Sequence, residues 1–172
     1  MRRARPPLDA AALDALALGY VGRFATTQAK LAQYLRRKLA ERGWTDEAEP
    51  PVEAIVARLA ASGFVDDRAF ADARGAALGR RGYGARRVAV ALKIAGVGEA
   101  EGEQALAAAI DSGWDNALAF ARRRRIGPYA AEAADRAGRE RATAALIRAG
   151  HPIGIARRIA AARPGKVPER DD

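Results

Sequence analysis

The chain has 172 residues, no cysteine and one histidine. It carries 30 Lys and Arg against 21 Asp and Glu, a net charge of +9, with an isoelectric point near 10.7. This length allows one domain or a short array with enough core to fold without staples, and the lack of cysteine excludes disulfides and Cys-based zinc sites.

The elements follow in chain order. Residues 1–7 are basic, end in Pro6-Pro7 and are predicted to be a mobile arm. Leu8 to Val21 is predicted helical, with Leu13, Leu16 and Tyr20 at three-to-four spacing. Thr26-Thr27 caps a second helix that carries Leu31, Leu35 and Leu39 and stops at Gly43. An acidic loop leads to Pro50-Pro51 and a third helix with Val52, Ile55, Val56 and Leu59, closed by Gly63. Asp66 or Asp67 can cap the fourth helix, by accepting from its free N–H groups, and Gly82-Tyr83-Gly84 breaks it. Val88, Leu92 and Ala95 form the fifth stripe, ended by Gly96, and Phe70 and Leu92 are expected to be buried between helices four and five. Glu99 to Ile110 gives a sixth helix, closed by Gly113. Asp115 opens a seventh, stopped by Gly127-Pro128. Residues 129–137 read equally as helix or loop. An eighth helix runs to Gly150, Ile153, Ile155 and Ile159 mark a ninth, and residues 164–172 read as a disordered tail. No stretch alternates as a strand does, so the predicted fold class is all-α.

The helix ends repeat. Leu39…Gly43-Trp44 returns as Leu92…Gly96-Val97 and as Leu146…Gly150-His151, at offsets of 53 and 54. Ser62-Gly63-Phe64 returns as Ser112-Gly113-Trp114 at an offset of 50. Fixed-period recurrence marks a repeat array, in which small units bury their apolar faces by stacking. The plain alternative is coincidence among glycine-ended helices in an alanine-rich chain, against which two offset series argue. The expected layout is three three-helix units, residues 8–63, 64–113 and 114–163, in an elongated, curved array.

Enzyme chemistry has little to stand on. His151 precedes a proline at a helix junction and reads as a capping or surface residue rather than a general base. Glu99 and Glu103 share a helix face but read as a solvated helix start, and Asp66-Asp67 reads as a cap rather than a metal pair. The glycines at 82 and 84 lack the strand and Lys-Ser/Thr of a phosphate loop. No catalytic, cofactor or metal residue is predicted.

What remains is basic. Residues 115–163 hold 11 basic and 4 acidic side chains, +7 of the total of +9. The candidate binding residues are Arg36, Arg37 and Lys38 on helix two, Arg80, Arg81, Arg86 and Arg87 around the central turn, Arg122, Arg123, Arg124 and Arg125 ending helix seven, and Arg157 and Arg158 on helix nine. Consecutive arginines spread around a helix, about 100° apart, so part of the 122–125 run must face solvent. Exposed guanidinium groups suit phosphates and carboxylates bidentately; for any one pair the plain alternative is a solvated face with its stem on the core. Aromatics are few and sit at stripe or helix-end positions, without the stacking platform of a single-strand binder. No uncharged apolar run reaches the roughly 18 residues of a spanning helix. Asp9 and Asp14 interrupt any signal-like reading of the N-terminus, and the predicted location is the cytoplasm.

The central stretch carries the most specific pattern: Gly63-Phe64-Val65-Asp66-Asp67 with Phe70-Ala71, then Arg87-Val88, Leu92 and Gly96-Val97. It resembles the signature of the RecX family, small bacterial regulators of RecA recombinase filaments. On that resemblance Gly63, Asp66, Asp67, Phe70, Ala71, Leu92 and Gly96 are structural signature residues. The chain departs from the pattern at Gly84-Ala85 (Gly-Pro is usual), at Ala91 (glutamate is common) and at Gly75 (a bulkier residue is expected). Outside residues 63–97 the likeness is one of layout and length. The resemblance implies three tandem three-helix units and a monomeric, non-catalytic protein without cofactors. It would bind RecA and the RecA–single-stranded DNA filament and inhibit recombinase and coprotease activity. DNA itself is a further candidate partner. The alternative from the residues alone is a stand-alone basic helical nucleic-acid-binding module.

Overall fold

Local start and stop signals set the elements. The computed structural model describes residues 6–170, so residues 1–5 of the expected arm and the last two of the expected tail lie outside the described residues. Among the described residues there are nine α-helices and no strand: α1 (Ala10–Val21), α2 (Gln28–Arg42), α3 (Val52–Ala61), α4 (Asp67–Arg80), α5 (Ala85–Ala95), α6 (Glu99–Asp111), α7 (Gly113–Arg124), α8 (Arg136–Arg148) and α9 (Ile153–Ala161). A single 3₁₀ turn, Gly127–Tyr129, lies between α7 and α8. The all-α expectation is met. None of these helices is long and apolar enough to cross a membrane.

Thr27 caps α2 as predicted, and two aspartates do the same for other helices. Asp9 accepts from Ala12 N–H at 2.7 Å, Thr27 from Lys30 N–H at 3.2 Å and Asp135 from Gly138 N–H at 2.6 Å. Asp135 settles the ambiguous stretch: apart from the 3₁₀ turn, residues 129–135 are irregular and α8 starts at Arg136. Two boundaries differ from expectation, the first being that α1 starts at Ala10 rather than Leu8. Gly113 does not close α6 but begins α7, with only Ser112 between the two helices. Unlike Gly63, with φ of 75°, Gly113 keeps a negative φ, so nothing reverses the chain there. The Ser-Gly pair at 112–113 is therefore not the structural equivalent of the pair at 62–63.

The chain divides into two compact units. The first reaches to Phe70 and takes in Ala95–Gly98; the second holds Ala71–Ile94 and the chain from Glu99 onward. The first unit packs Leu13 and Ala17 of α1, Leu31 and Leu35 of α2 and Ile55, Val56 and Leu59 of α3. Each set recurs at helical spacing, and fully burying one such aliphatic side chain contributes roughly 1.5–3 kcal/mol. Leu8 closes this core. It is fully buried, its N–H donates to Gly43 O and its carbonyl accepts from Thr45 N–H, both at 3.0 Å. Tyr20 and Tyr34 stack at 4.2 Å between ring centroids.

In the same unit the signature aspartates part company. Asp66 caps its own helix, accepting from Ala69 N–H at 2.9 Å. Asp67 is buried and accepts instead from Gln28 N–H, at the start of α2, also at 2.9 Å. There it complements the positive end of the helix dipole. Thr27 donates its hydroxyl to Ala95 O, and Gly96 lies against Ala29. Phe70, expected in the core, is half-buried under the ammonium of Lys30, 5.0 Å from its centroid. Leu92, in the second unit, is buried as expected.

The second unit packs Ala117, Phe120 and Ala121 of α7, Leu146 of α8 with Ala149 just after it, and Ala156, Ile159 and Ala160 of α9. Gly75, a departure from the family pattern, has a steric reason here: a Cβ on it would stand 3.3 Å from Ala105 Cβ of α6 and 3.6 Å from Val88. The tail starts with a fixed turn, since Gly165 N–H donates to Pro128 O at 2.9 Å.

Candidate anion-binding groove

The predicted basic residues do not all gather in one place. In the first unit Arg36 pairs with Glu53, and Arg37 and Lys38 both pair with Glu41. Glu53 lies well into its charged range, first because of its own backbone N–H and then because of Arg36. This cluster is largely neutralised by its own helices.

The second unit differs. Its turn Gly82-Tyr83-Gly84 lies against α7 and the end of α8. Gly84 N–H donates to Ala149 O at 3.0 Å, and Gly82 packs so closely on Phe120 that a Cβ would stand 2.6 Å from its backbone nitrogen. His151 is fully buried here, not at the surface as one expected alternative had it, and its Nε2 donates to Gly82 O at 2.9 Å. That bond fixes the neutral tautomer with the proton on Nε2; Nδ1 has no partner. Burial holds the His151 pKa below the ordinary histidine value, more than the Gly82 carbonyl raises it. The geometry gives the residue a structural role.

This packing sets two guanidinium groups against the Tyr83 ring. Arg81 lies 5.4 Å and Arg87 5.8 Å from its ring centroid. Arg124 lies 5.8 Å from the Phe120 centroid. Cation–π contact of this kind is worth about 0.5–1 kcal/mol at exposed sites and restricts otherwise mobile side chains. Arg123 joins Arg81 and Arg124 in a small adjoining cleft.

Next to these rings opens a groove of about 570 Å³ between the α7–α8 connection and α8. Arg87 of α5, Arg124 and Arg125 at the end of α7, and Arg141 and Arg148 of α8 all line it. Sequence reasoning missed the last two. They stand seven residues apart on α8, bracketing Ala142 and Ala145, and so share a face. The spacing was legible, but Arg141 and Arg148 are isolated rather than in a run. No described Asp or Glu lines the groove, and none of the five arginines forms an ion pair with a described residue.

Arg125 enters the groove through an unusual backbone. It ends α7 with φ of 53°, and among the described residues it alone has a positive φ without being glycine. Ile126 N–H donates to Ala121 O and Arg125 N–H to Arg122 O, which is a Schellman helix end. The same reach of five residues closes α3 at Phe64, α4 at Tyr83 and α8 at His151, each time after a left-handed glycine.

The other candidates lie elsewhere. Arg80 borders a cleft with Asp72 and Asn116. Arg86 is exposed on α5. Arg122 lies 5.7 Å from the Tyr129 centroid and Arg158 5.4 Å from that of Trp114, and Arg157 lies beside Ile153 and Arg136. The described residues contain no group of three or more His, Cys, Asp or Glu side chains arranged to hold a metal.

No family model matches the chain. It is 34% identical over 163 residues to the regulatory protein RecX of Myxococcus xanthus (strain DK1622), across 88% of this chain and 86% of that protein. Identity at that level over nearly the full length of both, together with the central signature and the all-helical fold of the described residues, leads to one conclusion: the chain belongs to the RecX family.

Proposed function

We propose that the protein is a non-catalytic, monomeric regulator of RecA. In this reading it binds the recombinase and its filament on single-stranded DNA and inhibits recombinase and coprotease activity. Family membership supports the regulatory role. The observation that carries a binding role is the groove, where five arginines line one cavity with no described carboxylate among them. Guanidinium groups that form no ion pair among the described residues are available to external carboxylate or phosphate. We also read the nine helices as three tandem units, residues 8–63, 64–113 and 114–163. The recurring helix end supports this: Ala95 O accepts from Thr27 just before α2, and Ala149 O accepts from Gly84 just before α5.

The test is RecA's DNA-stimulated ATP hydrolysis. If the filament is the target, the purified protein suppresses hydrolysis at amounts far below those that coat the DNA. Inhibition that begins only when the DNA is covered favours a second reading, a basic module that acts by binding nucleic acid; the +7 charge of residues 115–163 is what recommends that alternative.

A further inference from the structure

The groove of the second unit combines two features. Its rim is cationic, with Arg87, Arg124, Arg125, Arg141 and Arg148. Its floor, the less exposed part of the lining, is apolar and small, with half-buried Ala142 and Ala145 of α8 and buried Ala160 of α9. A cavity of about 570 Å³ falls within the usual range of specific pockets, roughly 300–1,000 Å³.

Nucleic acid makes poor use of this combination. Single strands bind through a basic track plus bases stacked on open aromatic faces. Here the two rings at the groove, Tyr83 and Phe120, already carry guanidinium groups: Arg81 and Arg87 on the first, Arg124 on the second. A base would have to displace them. The alanine floor offers a phosphodiester backbone nothing.

A peptide uses both features. Carboxylates match the guanidinium forks in bidentate geometry, and an aliphatic side chain between them fills the floor. An apolar centre with a polar rim is the anatomy of protein–protein interfaces, in which arginine is enriched. Arg125 adds an independent sign. It keeps a left-handed backbone where the other five-residue helix ends use glycine, and strain of this kind gathers at ligand-binding positions.

We propose that this groove takes an acidic segment of a partner protein, with Asp or Glu side chains on the arginines and an aliphatic side chain on the alanine floor. The proposal rests on the regulatory reading above and assigns to this groove the protein share of the contact, not the DNA share.

The experiment titrates the full chain, by calorimetry at about 0.15 M salt, with a synthetic peptide of about ten residues holding four Glu around a central Leu. Three further probes are the same peptide with Gln for Glu, the same peptide with Ala for Leu, and an oligothymidylate of equal charge. The Glu peptide is expected to bind. The Gln peptide should lose at least about tenfold and the Ala peptide severalfold. The oligothymidylate should not compete. The double variant Arg141→Gln/Arg148→Gln, its fold checked by thermal melting, should lose about tenfold for the Glu peptide, and Arg36→Gln/Arg37→Gln should not. No binding of the Glu peptide, equal binding of the Gln peptide, or displacement by oligothymidylate overturns the proposal. The RecA ATPase assay separates the two readings. If the Arg141/Arg148 variant inhibits RecA like the parent, the groove proposal fails and the regulatory reading stands. If the peptide binds as described but the parent does not inhibit RecA, the regulatory reading fails and the groove stands.

Discussion

Gly84 and Gly150 meet backbone to backbone. A Cβ on Gly84 would overlap the Gly150 carbonyl oxygen, and a Cβ on Gly150 would press on the Arg87 nitrogen. Gly150 also has φ of 99°. This contact seats the end of α8 on the start of α5 and sets Arg87 beside α8's own arginines. Gly150→Ala therefore meets two costs, a left-handed alanine at about 1–2 kcal/mol and overpacking at about 1–3 kcal/mol. We expect a loss of about 2–5 kcal/mol in denaturant unfolding. Gly154→Ala is the control. Gly154 is in α9 with nothing within 4 Å of an added Cβ, and the change should stabilise by about 0.5–1 kcal/mol. Equal effects of the two substitutions would contradict the contact.

Asp66 and Asp67 provide the second prediction. Asp66→Ala removes an exposed cap from α4 and should cost about 0.5–1 kcal/mol. Asp67→Ala leaves the start of α2 without its buried acceptor and should cost about 1–3 kcal/mol. Asp67→Asn keeps an acceptor oxygen and should recover part of that loss. The order of the three melting temperatures checks the assignment; Asp66→Ala as the most damaging would reverse it.

These two aspartates also show how far the sequence could be read. Capping was legible because an acid before an apolar stripe has few other uses. That Asp67 caps α2, 39 residues earlier in the chain, was not, since local spacing carries no information about a distant helix start. His151 is a similar case, in which burial excludes only the surface one of the two readings, capping or surface. Its neighbours in sequence suggest an exposed junction, and it is buried by the turn at Gly82, 69 residues away. The helix pattern itself was legible apart from the start of α1, the Gly113 boundary and the stretch after Tyr129, because apolar periodicity and glycine stops are local signals. In the groove, the run at 122–125 and Arg87 stood out as clusters. Arg141 and Arg148 did not, because only the packing of α8 brings them to the same cavity.

His151 gives a pH prediction. Its folded-state pKa is depressed by burial, so the folded chain favours the neutral ring. The stabilising contribution is complete above the unfolded-state value, about 6.5. As pH falls below that, the unfolded state takes up a proton first, and stability declines until the folded pKa is passed. Denaturation midpoints should fall as the pH drops below about 6.5 in the parent chain. They should fall less in His151→Gln, which has no ring to protonate. Parallel curves for the two proteins would show that other groups control the acid limb.

Arg125→Gly separates stability from binding at one position. Arg125 ends α7 at φ of 53°, a conformation that costs a side-chain-bearing residue about 1–2 kcal/mol. Glycine adopts it freely but adds entropy to the unfolded chain, about 0.5–1 kcal/mol. The balance favours the variant by up to about 1 kcal/mol, and the melting temperature should hold or rise. The Schellman bonds use backbone atoms only, from Ile126 to Ala121 and from Arg125 to Arg122, so they survive the change. The groove, however, loses one of its five arginines. A charge-assisted hydrogen bond contributes about 1.5–3 kcal/mol, so affinity for the acidic probe peptide should fall by about tenfold or more. A variant that is both more stable and weaker in binding would mean that Arg125 stands in a glycine position for the sake of its guanidinium. A less stable variant would mean that the side chain supports the fold. Unchanged affinity would place Arg125 outside the contact and leave Arg87, Arg124, Arg141 and Arg148 as the working rim.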